Sequence, residues 1–331
     1  MHPLEEVVSR SPKLRPRTKV AYLANIREFL AYVSDVAPEL HSDHTLPQAK
    51  TWVDIVRPKV EEWRDALLKR GLDTATVNGR LAALRYATRR WSERTGDPSF
   101  NFALYAETLS AAGKDTKARH ALTLGDVRAI LEPCQQEAAR GDLFGIRDTA
   151  LITLATYTGL RRDALARLTA GAIKDWCLKV ELKGGKLHTL PPLDKRAQEA
   201  LAVWLKALHD EGCKTRGDAK VFRHIKKSLE GPLIGEALSA NGIYHIVNKR
   251  AEQVGLKAHP HLFRHTFITM MEEAGLGHLT AAYTGHKGGR GAVPPSQETY
   301  TDRVAMAERE GTAALPDLVN SGIAAARKVI P

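Results

Sequence analysis

Cysteine is scarce in this 331-residue chain: Cys134, Cys177 and Cys213 are the only three, widely spaced and odd in number. Such a set builds neither a disulfide framework nor a zinc site, and it suits a reducing compartment. Long apolar runs are also missing; none approaches the roughly 18 residues that a membrane span needs. The N-terminus carries an early acidic pair, Glu5 and Glu6, in place of the apolar core of a secretory signal. No glycine-rich Walker loop and no carboxylate cluster for paired metal ions can be found. Internal repeats and low-complexity tracts are absent as well. The expectation is a soluble cytoplasmic protein, at home in a prokaryotic cytosol or nucleoid, with no membrane partner, no metal and no cofactor.

What is abundant is positive charge. Lys and Arg number 49 against 38 Asp and Glu, a formal net charge of +11. A surplus of this size favours polyanions, with nucleic acid first among them. Hydrophobic residues make up 43%, enough for a core in each of two domains, the number that the length suggests.

The pattern along the chain divides accordingly. Residues 1–17 hold Pro3, Pro12 and Pro16 among Lys13, Arg15 and Arg17, and read as a flexible basic lead-in. Residues 18–105 read as a helical domain. Val20, Leu23, Ile26, Leu30 and Val33 recur at helical spacing, and further helices are expected over 58–70 and 74–94, the last stopped by Gly96. That third helix bears Arg80, Arg85, Arg89, Arg90 and Arg94, with Glu93 as the one nearby acid. It is either a solvated face or a grip for a phosphate backbone. A polar linker over 106–119 precedes a second domain at 120–315, and a weakly amphipathic segment, 316–331, closes the chain. In the second domain Thr123 starts a helix, helices are expected over 147–157, 194–209, 239–254 and 265–274, and 176–182 returns through a glycine turn to 187–190 as a hairpin. The fold class expected is mainly α: a helical N-terminal domain, then a mixed α+β domain with a small antiparallel sheet.

Four local patterns in the second domain bear chemistry: Thr158-Gly-Leu-Arg161, Lys183 on the glycine turn, His261-Leu-Phe-Arg264-His265, and Gly285-His286 followed by Tyr300. Singly, each has a plain structural explanation. Their order resembles the signature of the tyrosine recombinases (the phage integrase family), of the simple two-domain Cre-like and Xer-like kind. Arg147-Asp-Thr-Ala-Leu151 and Ser239-Ala-Asn-Gly-Ile-Tyr244 are also similar to the stretches that precede the two arginine boxes in that family. The resemblance implies a DNA core-binding domain ahead of a catalytic domain, and a site-specific recombinase working without metal or ATP. Double-stranded DNA sites would be its substrate, bound by a homotetramer on two duplexes. The segment after Tyr300 would dock on a neighbouring protomer.

The chemistry agrees with this order. A phosphodiester repels nucleophiles, and two guanidinium groups, Arg161 and Arg264, can hold its non-bridging oxygens and stabilise the extra charge of a pentacovalent state. A phenol is a weak nucleophile at neutral pH, so Tyr300 needs a base, for which His261 is the candidate. Lys183 is the candidate acid for the leaving 5′ oxygen, chosen over Lys186 because its place before the first glycine matches the family. His286 would bond the phosphate or position Tyr300, and His265 would support the site without reacting. Arg162 either touches backbone phosphate or caps the preceding helix. Arg80, Arg85, Arg89, Arg90 and Lys186 are further candidates for DNA contact.

The sequence departs from the family at three points. The place where an acid often follows the first arginine holds Ala164, with Asp163 one earlier. Tyr300 follows His286 by fourteen residues, a long spacing that includes Lys287-Gly-Gly-Arg-Gly291 and Pro294-Pro295. No obvious extra DNA-binding module can be read ahead of residue 18, so the expectation is a simple recombinase acting on short sites. Three rival readings remain: a type IB topoisomerase-like relaxing enzyme, a catalytically silent DNA-binding regulator on the same fold, and a metal hydrolase built on His259, His261 and His265.

Overall fold

The computed structural model describes residues 2–36, 57–96, 121–181, 185, 187–228, 231–285 and 315. The chain divides into two compact units, Met1–Lys117 and Ala118–Pro331.

Among the described residues of the first unit, four helices surround one core: α1 (Pro3–Ser9), α2 (Pro16–Val36), α3 (Arg57–Lys69) and α4 (Thr74–Thr95). Ile26, Phe29, Trp63 and Leu81 are buried at its centre, with the Phe29 and Trp63 rings edge to face at 5.3 Å. Local chemistry sets the ends of α4. The Asp73 carboxylate accepts from the Thr76 N–H at 2.8 Å, and Gly96 adopts the left-handed conformation (φ 76°) that closes the helix.

The lead-in expected to be flexible is folded. Leu4 and Val8 are fully buried, and a capping box between His2 and Glu5 starts α1. The three prolines misled because proline suits the first turn of a helix, where its missing N–H costs nothing. Pro3 and Pro16 hold that position in α1 and α2. A second correction concerns the arginines of α4, which have more acids near them than Glu93. Glu28 of α2 pairs with Arg80, and Glu6 of α1 lies 3.2 Å from Arg94, while Arg89 and Arg90 share Glu93. Tertiary folding brings these acids in from as far as 88 residues away, where no local window detects them.

The second unit is built around α6 (Leu143–Thr158), in which every residue but Phe144 is buried. A helix covered on nearly all its faces belongs at a centre. Packed on it are α5 (Leu124–Ala139), α8 (Lys195–Asp210) and α10 (Pro260–Glu273), with α9 (Ala240–Glu252) beside them. Two short helices, α7 (Arg162–Arg167) and α11 (Thr280–Thr284), lie near them. Strands β1 (Ile173–Lys174), β2 (Cys177–Glu181) and β3 (Leu187–Thr189) form an antiparallel sheet with Val180 opposite His188. A second antiparallel pair, β4 (Arg223–Ser228) and β5 (Gly231–Ala237), went unread in the sequence. Its lysines and glycines obscure the alternation, and only Ile225 and Ile234, paired across the ladder, pack toward the core. Among the described residues, no helix is long and apolar enough to cross a membrane.

Ion pairs inside this unit lock its helices together. The Arg147 guanidinium bonds Asp148 at 2.7 Å, and the other Asp148 oxygen accepts from Arg250 Nε, also at 2.7 Å. Arg250 further grips Glu137 through both terminal nitrogens, at 2.9 and 2.6 Å. Helices α5, α6 and α9 are thereby joined through the buried Arg147, Asp148 and Arg250 and the half-buried Glu137.

Candidate active site

Helix α6 ends at the first arginine motif. Thr158 Oγ1 donates back to the Leu154 carbonyl at 2.6 Å, and Gly159 turns left-handed at φ 59°. A Cβ on Gly159 would stand 2.8 Å from Phe267 Cδ1 of α10. Glycine is thus required twice, for the turn and for the close approach of α10. Arg161 follows at the N-terminal cap of α7, half-buried, and its carbonyl accepts the first bonds of that helix.

Arg264 lies one helical turn before Phe267 on α10 and is 2% exposed. Its Nη1 donates to the Gly159 carbonyl at 2.7 Å and its Nη2 to the Thr284 carbonyl at 3.1 Å. One guanidinium therefore fastens the turn that carries Arg161 to the end of α11. Burial, and then the nearby Arg161 cation, push its pKa down to about 10. Folding has placed two cations side by side in a partly dry setting, where an anion would relieve both.

His261, in the first turn of α10, is exposed and edge-on to His265, with ring centroids 4.8 Å apart. His265 Nε2 is buried without a hydrogen-bond partner among the described residues. The Arg162 guanidinium lies 5.8 Å from the Tyr244 ring centre, and Tyr244 stacks on His259 at 6.5 Å. Arg162 is the first residue of α7, with its cation over an aromatic face. Asp163 is exposed and Ala164 buried, so no carboxylate at those positions reaches inward to support Arg161. Among the described residues, no three His, Cys, Asp or Glu side chains are grouped to hold a metal ion.

Lys183, Lys186, His286 and Tyr300 lie outside the described residues, as does the segment 316–331. Their neighbours are described. Lys183 falls in sequence between β2 and β3, which pair antiparallel, and His188 on β3 bonds the Ala282 carbonyl of α11 through Nε2 at 2.7 Å. Leu187 is exposed, while His188 is buried. This polar tie between the hairpin and the helix preceding His286 was missed, its only signal being a histidine amid apolar strand residues. Gly285, left-handed at φ 61°, ends α11 directly before His286. Leu315 is buried in the second unit's core, and its carbonyl accepts from Arg196 at 3.0 Å. Of the other tyrosines in this unit, Tyr157 and Tyr283 are buried, and burial drives the Tyr283 phenol well above its ordinary range. Neither suits a nucleophile.

Residues 120–290, just over half of the chain, match the model of the phage integrase family. A tyrosine recombinase of Synechococcus elongatus is 28% identical over 275 residues, covering 80% of this chain and 78% of that one. The tyrosine recombinase XerD of Chlamydia pneumoniae is 33% identical over 150 residues, 45% of this chain and 47% of its own. Among solved structures, a lambda integrase dimer bound to a COC′ core site superposes with a TM-score of 0.59 at 19% identity, covering 86% of this chain and 92% of that one. XerH bound to a palindromic difH substrate also scores 0.59, at 17% identity, over 94% and 83% of the two chains. With its arginine motifs folded onto one another as described, this chain belongs to the phage integrase family.

Proposed function

We propose that Tyr300 is the nucleophile with which this chain, a site-specific recombinase that cleaves and rejoins DNA strands, attacks a backbone phosphate. The phenol oxygen bonds to phosphorus, and the bond from phosphorus to the 5′ oxygen breaks. The product is a 3′-phosphotyrosine link and a free 5′ hydroxyl. The phenol proton passes to His261, and Lys183 supplies a proton to the leaving oxygen. Arg161 and Arg264 hold the two non-bridging oxygens, and His286 bonds the phosphate or positions the phenol. Because the covalent link conserves the phosphodiester's energy, the reverse attack by a 5′ hydroxyl rejoins the strand. Neither ATP nor a metal ion enters these steps.

The observation that supports this reading is the Arg161–Arg264 pair. A guanidinium 2% exposed, with a second cation in its field, is stabilised by a bound phosphate. The test is a nicked substrate that traps the covalent intermediate. The wild-type protein yields a denaturant-resistant protein–DNA adduct, and Tyr300→Phe yields none while binding DNA as before. Absence of an adduct with Tyr300 intact would instead favour a silent DNA-binding regulator. Paired target sites distinguish a recombinase from a relaxing enzyme by the appearance of recombinant products.

The first unit, with α1 included in its core, serves as the core-binding domain, and 120–315 as the catalytic domain. Arg80, Arg85, Arg89, Arg90, Arg162 and Lys186 bond to phosphates of the duplex. The ion pairs that engage the α4 arginines are largely exposed and worth about 0–1 kcal/mol each, so phosphate readily replaces the carboxylates. The working assembly is a homotetramer on two duplexes, a state that mass photometry on synaptic DNA would detect. Leu315, buried within its own unit, puts the start of any docking in trans at residue 316 or beyond.

A further inference from the structure

The folded lead-in makes something that no motif announced. Between α1 and the C-terminal half of α4 lies an open cavity of about 310 Å³. It is lined by Val7, Arg10, Ser11, Pro12 and Lys13 from the α1 end and by Arg90 and Arg94 from α4. All four charged residues that line it are basic. The acids that neutralise them in part stand outside the lining: Glu6 lies 2.7 Å from Arg10 and 3.2 Å from Arg94, and Glu93 pairs with Arg90.

Three of these cations, Arg10, Arg90 and Arg94, are held in place by neighbours, as scattered surface cations need not be. Ser11, 6% exposed, shares a hydrogen bond with the Tyr86 hydroxyl of α4, fixing the turn between Arg10 and Lys13 against that helix. Arg90 lies over the Tyr86 ring at 5.4 Å, and Arg94 over the Trp91 ring at 5.7 Å. Glu6 bridges Arg10 and Arg94, from the two ends of the unit, and orients both. The result is four cations and two carboxylates, leaving two positive charges facing a hollow. The volume is at the small end of ligand pockets, roughly 300–1,000 Å³. That suits a phosphate group, for which guanidinium forks are well shaped.

We infer that this cavity is a phosphate-binding site, and that the phosphate it takes is one of the duplex bound by the first unit. The assignment of DNA as the source rests on the recombinase reading above. The other source of the same chemistry is a free phosphate compound.

The full-length chain and an Arg10→Ala/Lys13→Ala variant would be compared in two arms, with a Lys226→Ala/Lys227→Ala variant as a control for removal of two charges elsewhere. In the first arm, duplex binding is followed by fluorescence anisotropy over a range of salt. Each phosphate that the protein no longer neutralises lowers the slope of log affinity against log salt by about 1. The expected result is a slope smaller by about 1 to 2 for the cavity variant, and a smaller change in the control. In the second arm, inorganic phosphate is titrated against the melting temperature. If the duplex slope is unaltered but phosphate stabilises the wild type and not the cavity variant, the site stands and a free phosphate compound is its ligand. If neither duplex slope nor phosphate response differs between the two, the inference is overturned. Thermal melts confirm folding, and Lys13→Ala alone replaces the double variant if that one fails to fold. The wild-type adduct assay keeps the two readings apart. Its failure would sink the recombinase reading, whereas an unchanged slope in an adduct-forming protein would sink only the cavity's role on DNA.

Discussion

Two arginines of the second unit are buried to nearly the same degree and differ in company. Arg250, 5% exposed, lies against two carboxylates, Asp148 and Glu137. Although burial alone would lower its pKa, these partners carry it above the ordinary arginine value. Arg264, 2% exposed, donates to two neutral carbonyls in the field of Arg161, and its pKa falls to about 10. The first arrangement is complete in the protein alone. The second sets one cation beside another, and under the reading proposed above a DNA phosphate is the anion that both would meet.

Removing the charge should therefore have opposite consequences at the two places. Arg250→Met strands the Asp148 and Glu137 carboxylates, and losing one partner of a buried pair costs about 3–5 kcal/mol. Arg264→Met removes a cation whose depression from 12.5 to about 10 corresponds to roughly 3 kcal/mol of unfavourable burial. Against this stand two hydrogen bonds of about 1 kcal/mol each, so stability should hold or rise by about 1 kcal/mol. Urea denaturation of the full chain at pH 7, in the absence of DNA, measures both. The effect of pH has a definite sign. A cation whose folded pKa is depressed destabilises the fold fully below about 10, and the penalty disappears as pH rises from there toward the unfolded value. The difference between wild type and Arg264→Met should accordingly be constant from pH 7 to 9 and shrink above pH 10. A strongly destabilised Arg264→Met variant would break the comparison.

Activity should separate the pair in the other direction. Arg264→Met should slow covalent adduct formation by about 10²–10³, the usual effect of removing one donor to a developing oxyanion. Residual folded Arg250→Met, assayed at low temperature, should form adduct at close to the wild-type rate. Adduct yield per folded molecule is the measurement. Equal losses in the two variants would mean that Arg264 also serves mainly as a structural clamp.

The join between the regions is Gly159, at the end of the helix that carries Asp148. Gly159→Ala forces a left-handed alanine, costing about 1–2 kcal/mol, and sets its Cβ 2.8 Å from Phe267. Because the Gly159 carbonyl also holds Arg264, the variant should lose adduct rate more than stability. Thermal melts and the trapping assay, run together, give the ratio.

The sequence revealed these regions unequally. Helices α2, α3, α4, α8 and α9 follow apolar periodicity and capping residues such as Asp73 and Ser239, and their ends fall close to expectation. The arginine boxes were legible because their order in the chain is itself the signal. Lost to view was whatever depends on partners far apart in sequence. Glu6 and Glu28 quench the α4 arginines across the fold, and Arg250 finds Glu137 over 113 positions. The β4–β5 pair has few apolar residues to mark it. Prolines in 1–17 suggested a loop because composition does not say which proline begins a helix.

The compensated network also offers a small, independent reporter. Cys134 lies on α5 behind Arg250, and burial is the chief cause that pushes its thiol up to about 12. Thiolate is the reactive form, so at pH 8 Cys134 should label slowly while the half-buried Cys177 and Cys213 label faster. Arg264→Met leaves the surroundings of Cys134 untouched and should keep that pattern of two fast thiols and one slow. Arg250→Met loosens α5 from α6 and α9 and should bring Cys134 close to the rate of the other two. Mass spectrometry of each labelled peptide reads the three rates separately. If Cys134 were exposed equally in both variants, the two arginines would belong to one cooperative structure, and the division between a cation held by carboxylates and a cation set beside another cation would not hold.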